Sequence, residues 1–195
     1  MLIRQIKQMK WSLAARKLKH IGIGSYVASG FAIHGAENIS IGKWFRAGRN
    51  LKLQTWTSYR GEVLEFQTNL TIGNKVSFMD NVQISCMKSV SIGDGTLLGD
   101  NVFISDNSHG NPRSKEELKV PPIERKLFSK GPISIGENVW IGRNVCIIGN
   151  VSIGSGAVIG ANSVVTHDIP SYCVAAGVPA RVLSKKGCAY DKVSY

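Results

Sequence analysis

Proline is scarce in this chain. Six prolines stand against 21 glycines, so many positions tolerate a tight corner and few stiffen a linker. Paired cysteines are missing too. Cys86, Cys146, Cys173 and Cys188 form no C-x-x-C pair, which argues against a zinc site. The N-terminal stretch MLIRQIKQMKWSLAARKLKH lacks the continuous apolar run of a secretory signal. A cytoplasmic chain with reduced, packed thiols is the expectation. Acidic residues are few, 13 against 24 basic ones for a net charge of +11. That balance favours anionic partners such as phosphates or a membrane surface. Nucleic acid is not expected, because no aromatic-rich basic sheet or known module is present. One stretch, 144–167, has no charged residue. It does not read as a membrane span, since Gly, Asn and Ser interrupt it at fixed intervals. With 195 residues, 43% of them apolar, the chain can bury a single core without disulfides.

What is present is a repeat. From Ile135 the chain divides into sixes: IGENVW, IGRNVC, IIGNVS, IGSGAV, IGANSV, VTHDIP. The leading positions are Ile135, Ile141, Ile147, Ile153, Ile159 and Val165. The fifth positions are Val139, Val145, Val151, Ala157, Ser163 and Ile169. The same frame holds for Ile72, Phe78 and Ile84, and for Ile92, Leu98 and Ile104, with a slip between Val90 and Ile92. A looser version surrounds Ile21, Ile33 and Ile41. A helix cannot use period six, because its inward face recurs at 3.6. A short strand with a corner every six residues can. The leading residue and the one two places before it then both point inward, and Gly or Asn serves the corners. Three strands close one triangular coil, and coils stack about 4.8 Å apart. The period predicts an all-β, parallel β-helix solenoid.

Three segments fall outside the frame. Residues 1–20 carry Arg4, Lys7, Lys10, Arg16, Lys17 and Lys19 without an acid. A stripe of Leu2, Ile3, Ile6, Met9, Leu13 and Leu18 predicts a short basic amphipathic helix. Such a helix caps the open end of a solenoid, or touches an anionic inner membrane face. Residues 21–180 form the solenoid domain, interrupted at 105–132 by a long polar loop of the kind that usually carries function. Residues 181–195 are a basic tail.

The chain has four histidines: His20, His34, His109 and His167. His109 stands where a coil ends and the loop begins. An accessible imidazole there can take a proton from a hydroxyl, or be an ordinary loop histidine.

These hexads resemble those of the hexapeptide-repeat acyltransferases, over roughly 70–185 and less clearly 21–60. The resemblance implies a left-handed solenoid, against the usual crossover hand, and a homotrimer with active sites in the clefts. Ile104-Ser-Asp-Asn-Ser-His109-Gly matches the break where galactoside and maltose acetyltransferases, and similar enzymes of surface-polysaccharide synthesis, place a histidine base. His109 would then activate an acceptor hydroxyl for direct attack on acetyl-CoA, with a carboxylate or backbone carbonyl, Asp106 being one candidate, on its other ring nitrogen. Asn138-Val-Trp140-Ile-Gly142-Arg143 is the family's N-V-W-I-G run. It implies Trp140 in the active-site wall and the backbone N–H of Arg143 near the oxyanion. Gly160-Ala161-Asn-Ser-Val-Val-Thr166-His167-Asp-Ile-Pro170, followed by Ala175-Ala-Gly177-Val-Pro179-Ala-Arg181, resembles the coenzyme A segment. Small residues at Gly142, Gly160 and Ala161 would admit the pantetheine arm, and Arg181, Lys185 and Lys186 would meet the phosphates. Where the family usually has Lys after Thr166, this chain has His167, which removes one charged contact. Asp80 or Asn81 would orient the acceptor sugar, although corner Asp and Asn are also plain turn residues.

The resemblance thus implies an acetyl-CoA-dependent O-acetyltransferase acting on a carbohydrate, with no metal required. Serine acetyltransferases precede their solenoid with a large helical domain that this sequence does not show. An N-acetyltransferase on an amino sugar or a small molecule is the alternative, and a non-catalytic β-helix scaffold the non-enzyme one. A γ-type carbonic anhydrase needs three zinc-binding histidines, whereas the middle coils hold only His109.

Overall fold

The computed structural model describes residues 10–183. Each hexad forms one short strand and one corner, and three hexads close a triangular coil. The strands therefore collect into three faces, with six, eight and six strands among the described residues. The first face runs from His20–Ile21 through Ile39–Ile41, Asn69–Ile72, Ser89–Ile92 and Ile133–Ile135 to Val151–Ile153. The second runs from Tyr26–Val27 through Arg46–Ala47, Ser77–Phe78, Leu97–Leu98 and Trp140–Ile141 to Val158–Ile159, and ends in the hairpin Val174–Gly177 with Ala180–Val182. The third comprises Ala32–His34, Lys52–Thr55, Gln83–Cys86, Phe103–Ser105, Cys146–Ile148 and Val164–Val165. The coils stack in parallel on every face, and within the three faces only the terminal hairpin is antiparallel among the described residues. The solenoid is the parallel β-helix expected from the hexads, with the left hand that the family resemblance implied.

Every leading and fifth residue of the 135–169 repeat is buried. On the first face Ile41, Ile72, Ile92, Ile135 and Ile153 stack in register, with Ile169 bridged above them. Each isoleucine fully removed from water contributes about 1.5–3 kcal/mol. The two polar fifth positions are satisfied locally. Thr96 Oγ1 donates to the Gly136 carbonyl at 2.9 Å, and Ser163 Oγ to the Gly160 carbonyl at 2.6 Å.

The corner between the second and third faces is built on asparagine. Asn50, Asn81, Asn101, Asn144 and Asn162 all have φ between 56° and 62°, left-handed backbone that Asn tolerates better than most residues. Their side-chain amides form a ladder, each Nδ2 donating to the next Oδ1 at 2.9 Å.

The outward sides of the faces differ. Ser40, Thr71, Ser91, Ser134 and Ser152 make a small polar column on the first. On the second, Leu97, Trp140, Val158 and Val174 make an apolar strip.

Residues 10–15 are helical and close the lower end. Trp11, Ala15 and Leu18 join the core, with the Trp11 ring edge-on to Phe31 at 5.6 Å and its indole N–H donating to the Ser25 carbonyl. Leu13, expected on the apolar stripe, is instead 56% exposed: Trp11 and Ala15 define the buried side. Residues 1–9, with Leu2, Ile3, Ile6 and Met9 of that stripe, lie outside the described residues. Among the described residues no helix is long and apolar enough to cross a membrane. Cys86 and Cys146 are free thiols, and burial together with the nearby Asp106 charge pushes the Cys86 thiol up. Cys173 is disulfide-bonded, a departure from the expectation of four reduced cysteines.

Candidate active site

Two segments leave the solenoid, both at the corner between the third and first faces. The first, residues 56–68, follows Lys52–Thr55 and contains an antiparallel hairpin of Ser58–Tyr59 with Glu62–Val63. The loose early repeat does not announce it. The second, residues 106–132, follows Phe103–Ser105. It is a β-arm more than a loop: Asn107–His109 pairs antiparallel with Leu127–Ser129, and its tip carries a short helix, Lys115–Leu118, capped by Ser114. The roots lie two coils apart, about 10 Å at the spacing of neighbouring strands, so the two segments meet.

Asp106 roots the arm. Its side chain is buried, 1% exposed. The carboxylate accepts the backbone N–H groups of Met87 and Lys88 at 2.7 Å and of Ser89 at 2.9 Å, all on the corner one coil below. Asn107 adds amide hydrogen bonds to the Ser85 carbonyl and hydroxyl, both at 3.0 Å. Asp106 is therefore an anchor of the backbone. The expected pairing with His109 is absent.

His109 projects from the end of the first arm strand and is exposed. Its Nδ1 lies 3.4 Å from Tyr59 Oη, and that hydroxyl donates to the Ile123 carbonyl at 3.2 Å. Which of the two donates across the Tyr59–His109 contact depends on the His109 tautomer. Among the described residues Nε2 has no hydrogen-bond partner. His109 lines a cavity of about 410 Å³ together with Gln54, Trp56, Tyr59, Gln83, Ser85 and Asn107, among others. Aromatic rings beside amides and hydroxyls suit a sugar, which has apolar ring faces and many hydroxyls. A second cavity of about 420 Å³ shares Phe103, Ser105, Asn107 and Ser108 with the first. It continues up the third face past Phe128, Lys130 and Ile148 to Thr166.

The remaining expected residues fall elsewhere on the solenoid. Thr166 lines the upper cavity, and its Oγ1 lies 2.8 Å from His167 Nδ1. Asp80, Asn81, Gly142, Arg143, Gly160 and Ala161 all occupy the asparagine corner, one strand away from His109. Asp80 is held by Arg49: its carboxylate accepts the Arg49 backbone N–H and pairs with the guanidinium at 2.7 Å. Those contacts hold its carboxyl below the usual range. Asn81 is a rung of the amide ladder. Neither lines the His109 cavity, where Gln54 and Gln83, absent from the expectation, stand instead. Gly142 and Gly160 are small because coils stack closely: a Cβ at Gly142 would lie 2.7 Å from Ala161 N, and one at Gly160 2.9 Å from Ala176 Cβ. At this corner the Arg49 and Asp80 N–H groups donate to the aspartates one coil above. Ala161, above Arg143, offers no such acceptor, and the Arg143 N–H has no hydrogen-bond partner among the described residues. Trp140 is 55% exposed on the second face, apart from His109. Arg181, exposed on the terminal hairpin, donates to its neighbour's carbonyl, that of Ala180. Lys185 and Lys186 lie outside the described residues. Among the described residues no three His, Cys, Asp or Glu side chains converge as a metal site would require.

Known proteins share this architecture. The family described as "Bacterial transferase hexapeptide (six repeats)" matches residues 132–167. A protein named for O-acetyl transfer in lipopolysaccharide biosynthesis, WbbJ of Escherichia coli K12, is 36% identical over 150 residues, covering 76% of this chain and 72% of that one. A galactoside acetyltransferase solved with coenzyme A superposes with a TM-score of 0.52 at 30% identity, over 90% of this chain and 69% of that one. AntD, an N-acyltransferase from Bacillus cereus solved with an amino-sugar nucleotide and coenzyme A, shares the fold at 17% identity, with a TM-score of 0.68 over 89% of this chain and 87% of that one. Hexads, arm and relatives together place the chain in the hexapeptide-repeat acyltransferase family.

Proposed function

We propose that this enzyme transfers acetyl from acetyl-CoA to a hydroxyl of a sugar destined for a surface polysaccharide. The observation that carries the reading is His109 lining a cavity of amides, hydroxyls and aromatic rings. His109 Nε2 takes the proton of the acceptor hydroxyl as the oxygen attacks the thioester carbonyl. The oxyanion accepts from preorganised backbone N–H, that of Arg143 being unengaged. Collapse expels the coenzyme A thiolate, which recovers the proton from the imidazolium. Thr166 marks the wall along which the pantetheine arm approaches, and Arg181 with Lys185 meets the phosphates. The kinship with WbbJ supports the polysaccharide acceptor.

A single chain holds His109 and the Arg143–Trp140 group on different edges of its prism. A second copy brings them together. The apolar strip of Leu97, Trp140, Val158 and Val174 suits an interface, while the serine column suits water. Three copies side by side close such a ring. Light scattering at micromolar concentration is expected to give three times the chain mass, and a stable monomer overturns this assembly.

The function itself is tested by thiol release from acetyl-CoA against a panel of sugars, amino sugars and amino acids. Release is expected with neutral sugars, and the product should be an ester, labile to mild alkali. Release with amines alone, or with free serine alone, overturns the reading.

A further inference from the structure

We propose that Tyr59, on the hairpin of residues 56–68, is the positioning residue of His109 and fixes its tautomer. The inference rests on the reading of His109 as the base. Three contacts clasp the hairpin to the arm. Tyr59 Oη donates to the Ile123 carbonyl at 3.2 Å, Arg60 Nη1 reaches the same carbonyl at 3.3 Å, and Glu62 pairs with Lys126 at 2.9 Å. Behind Tyr59, Trp56 packs edge-on at 6.3 Å and anchors its own indole N–H on Ser85 Oγ at 3.1 Å. The tyrosine is thus held from two sides, by the solenoid wall and by the arm.

The hydroxyl has one hydrogen, and the Ile123 carbonyl takes it. What it offers His109 is a lone pair. A neutral imidazole beside that lone pair is favoured with its proton on Nδ1, which leaves the lone pair on Nε2, the nitrogen without a partner among the described residues. Free imidazole side chains favour the opposite tautomer, so the contact has work to do. When Nε2 takes the acceptor's proton, the Nδ1–H···Oη bond becomes charge-assisted and strengthens. Such a bond stabilises the imidazolium more than the resting base, which lowers the barrier rather than the substrate affinity. Asp106 cannot share the role, because its carboxylate is engaged by three backbone N–H groups one coil below.

The test is Tyr59→Phe in the full-length chain. It removes the hydroxyl and keeps the ring that packs on Trp56. Two readouts are taken: steady-state kinetics with a neutral sugar acceptor, and the ¹⁵N shifts of the His109 ring nitrogens in the resting enzyme at a pH where the ring is neutral. We expect kcat to fall about ten- to a hundredfold with acceptor KM unchanged, as for a misplaced catalytic group. The ring proton should move from Nδ1 toward Nε2 in the variant. If either kcat or the tautomer stays at its wild-type state, the proposal is overturned. His109→Gln is run beside it. Full turnover in that variant removes the base reading, while the ring-nitrogen shifts still decide whether Tyr59 sets the tautomer.

Discussion

Replacing His109 by alanine should lower turnover by about a hundred- to ten-thousandfold, the usual cost of losing a general base, and leave coenzyme A binding nearly intact. The asymmetry follows from where the parts lie. The imidazole lines the cavity proposed for the acceptor, at the root of the arm, whereas the expected cofactor contacts are Thr166, on the upper cavity, and Arg181 on the terminal hairpin. The ring is exposed and supports no core packing, so the fold should survive. Turnover by thiol release and coenzyme A affinity by calorimetry check both halves. Near-wild-type turnover rejects His109 as the base. A large loss of coenzyme A affinity would instead place the imidazole on the cofactor.

Asp106→Ala should be the most damaging single change outside the solenoid core, and its damage should be to stability. It strands the backbone N–H groups of Met87, Lys88 and Ser89 on a tight corner. An orphaned buried donor costs about 1–3 kcal/mol, so a loss of about 3 kcal/mol or more is expected from denaturant unfolding. Asp106→Asn keeps one acceptor oxygen and should recover part of it. Had Asp106 served His109, the alanine variant would keep its stability and lose its activity. A change of less than about 0.5 kcal/mol, the size of a surface substitution, contradicts the anchoring role.

The solenoid was legible because a buried strand position is a local demand. Each coil must put an apolar residue at the same point of the triangle, so the pattern survives in the order of residues alone. The corner asparagines record even the interruptions. They are separated by 31, 20, 43 and 18 residues from Asn50 to Asn162, and the last interval is the undisturbed coil. The long first interval holds the hairpin that carries Tyr59, and it lay unread because the early hexads are loose. His109 could be singled out from its place at a break. Its neighbours could not. The Tyr59 contact spans 50 residues, and no periodicity relates the two. Asp106, adjacent in sequence, invited a pairing that the corner below claims instead. Asp80 and Asn81 carried chemistry suited to sugar binding and equally to a turn, and the structure gives them contacts of the second kind.

Both departures from the regular coil emerge at one edge of the prism, and the other two edges turn with nearly constant length. This makes the molecule a spool with a single working side. In a stack where each layer touches only the next, lengthening one edge disturbs no rung above or below. Each doubling of such a segment costs only about 0.6 kcal/mol in closure entropy. The cavity proposed for the acceptor draws Trp56 and Tyr59 from one of these segments and His109 from the other, while the apolar interior draws on neither. Exchange of the hairpin or the arm tip is therefore a route by which acceptor preference can diverge among chains of this shape while thermal tolerance stays where the isoleucine columns set it.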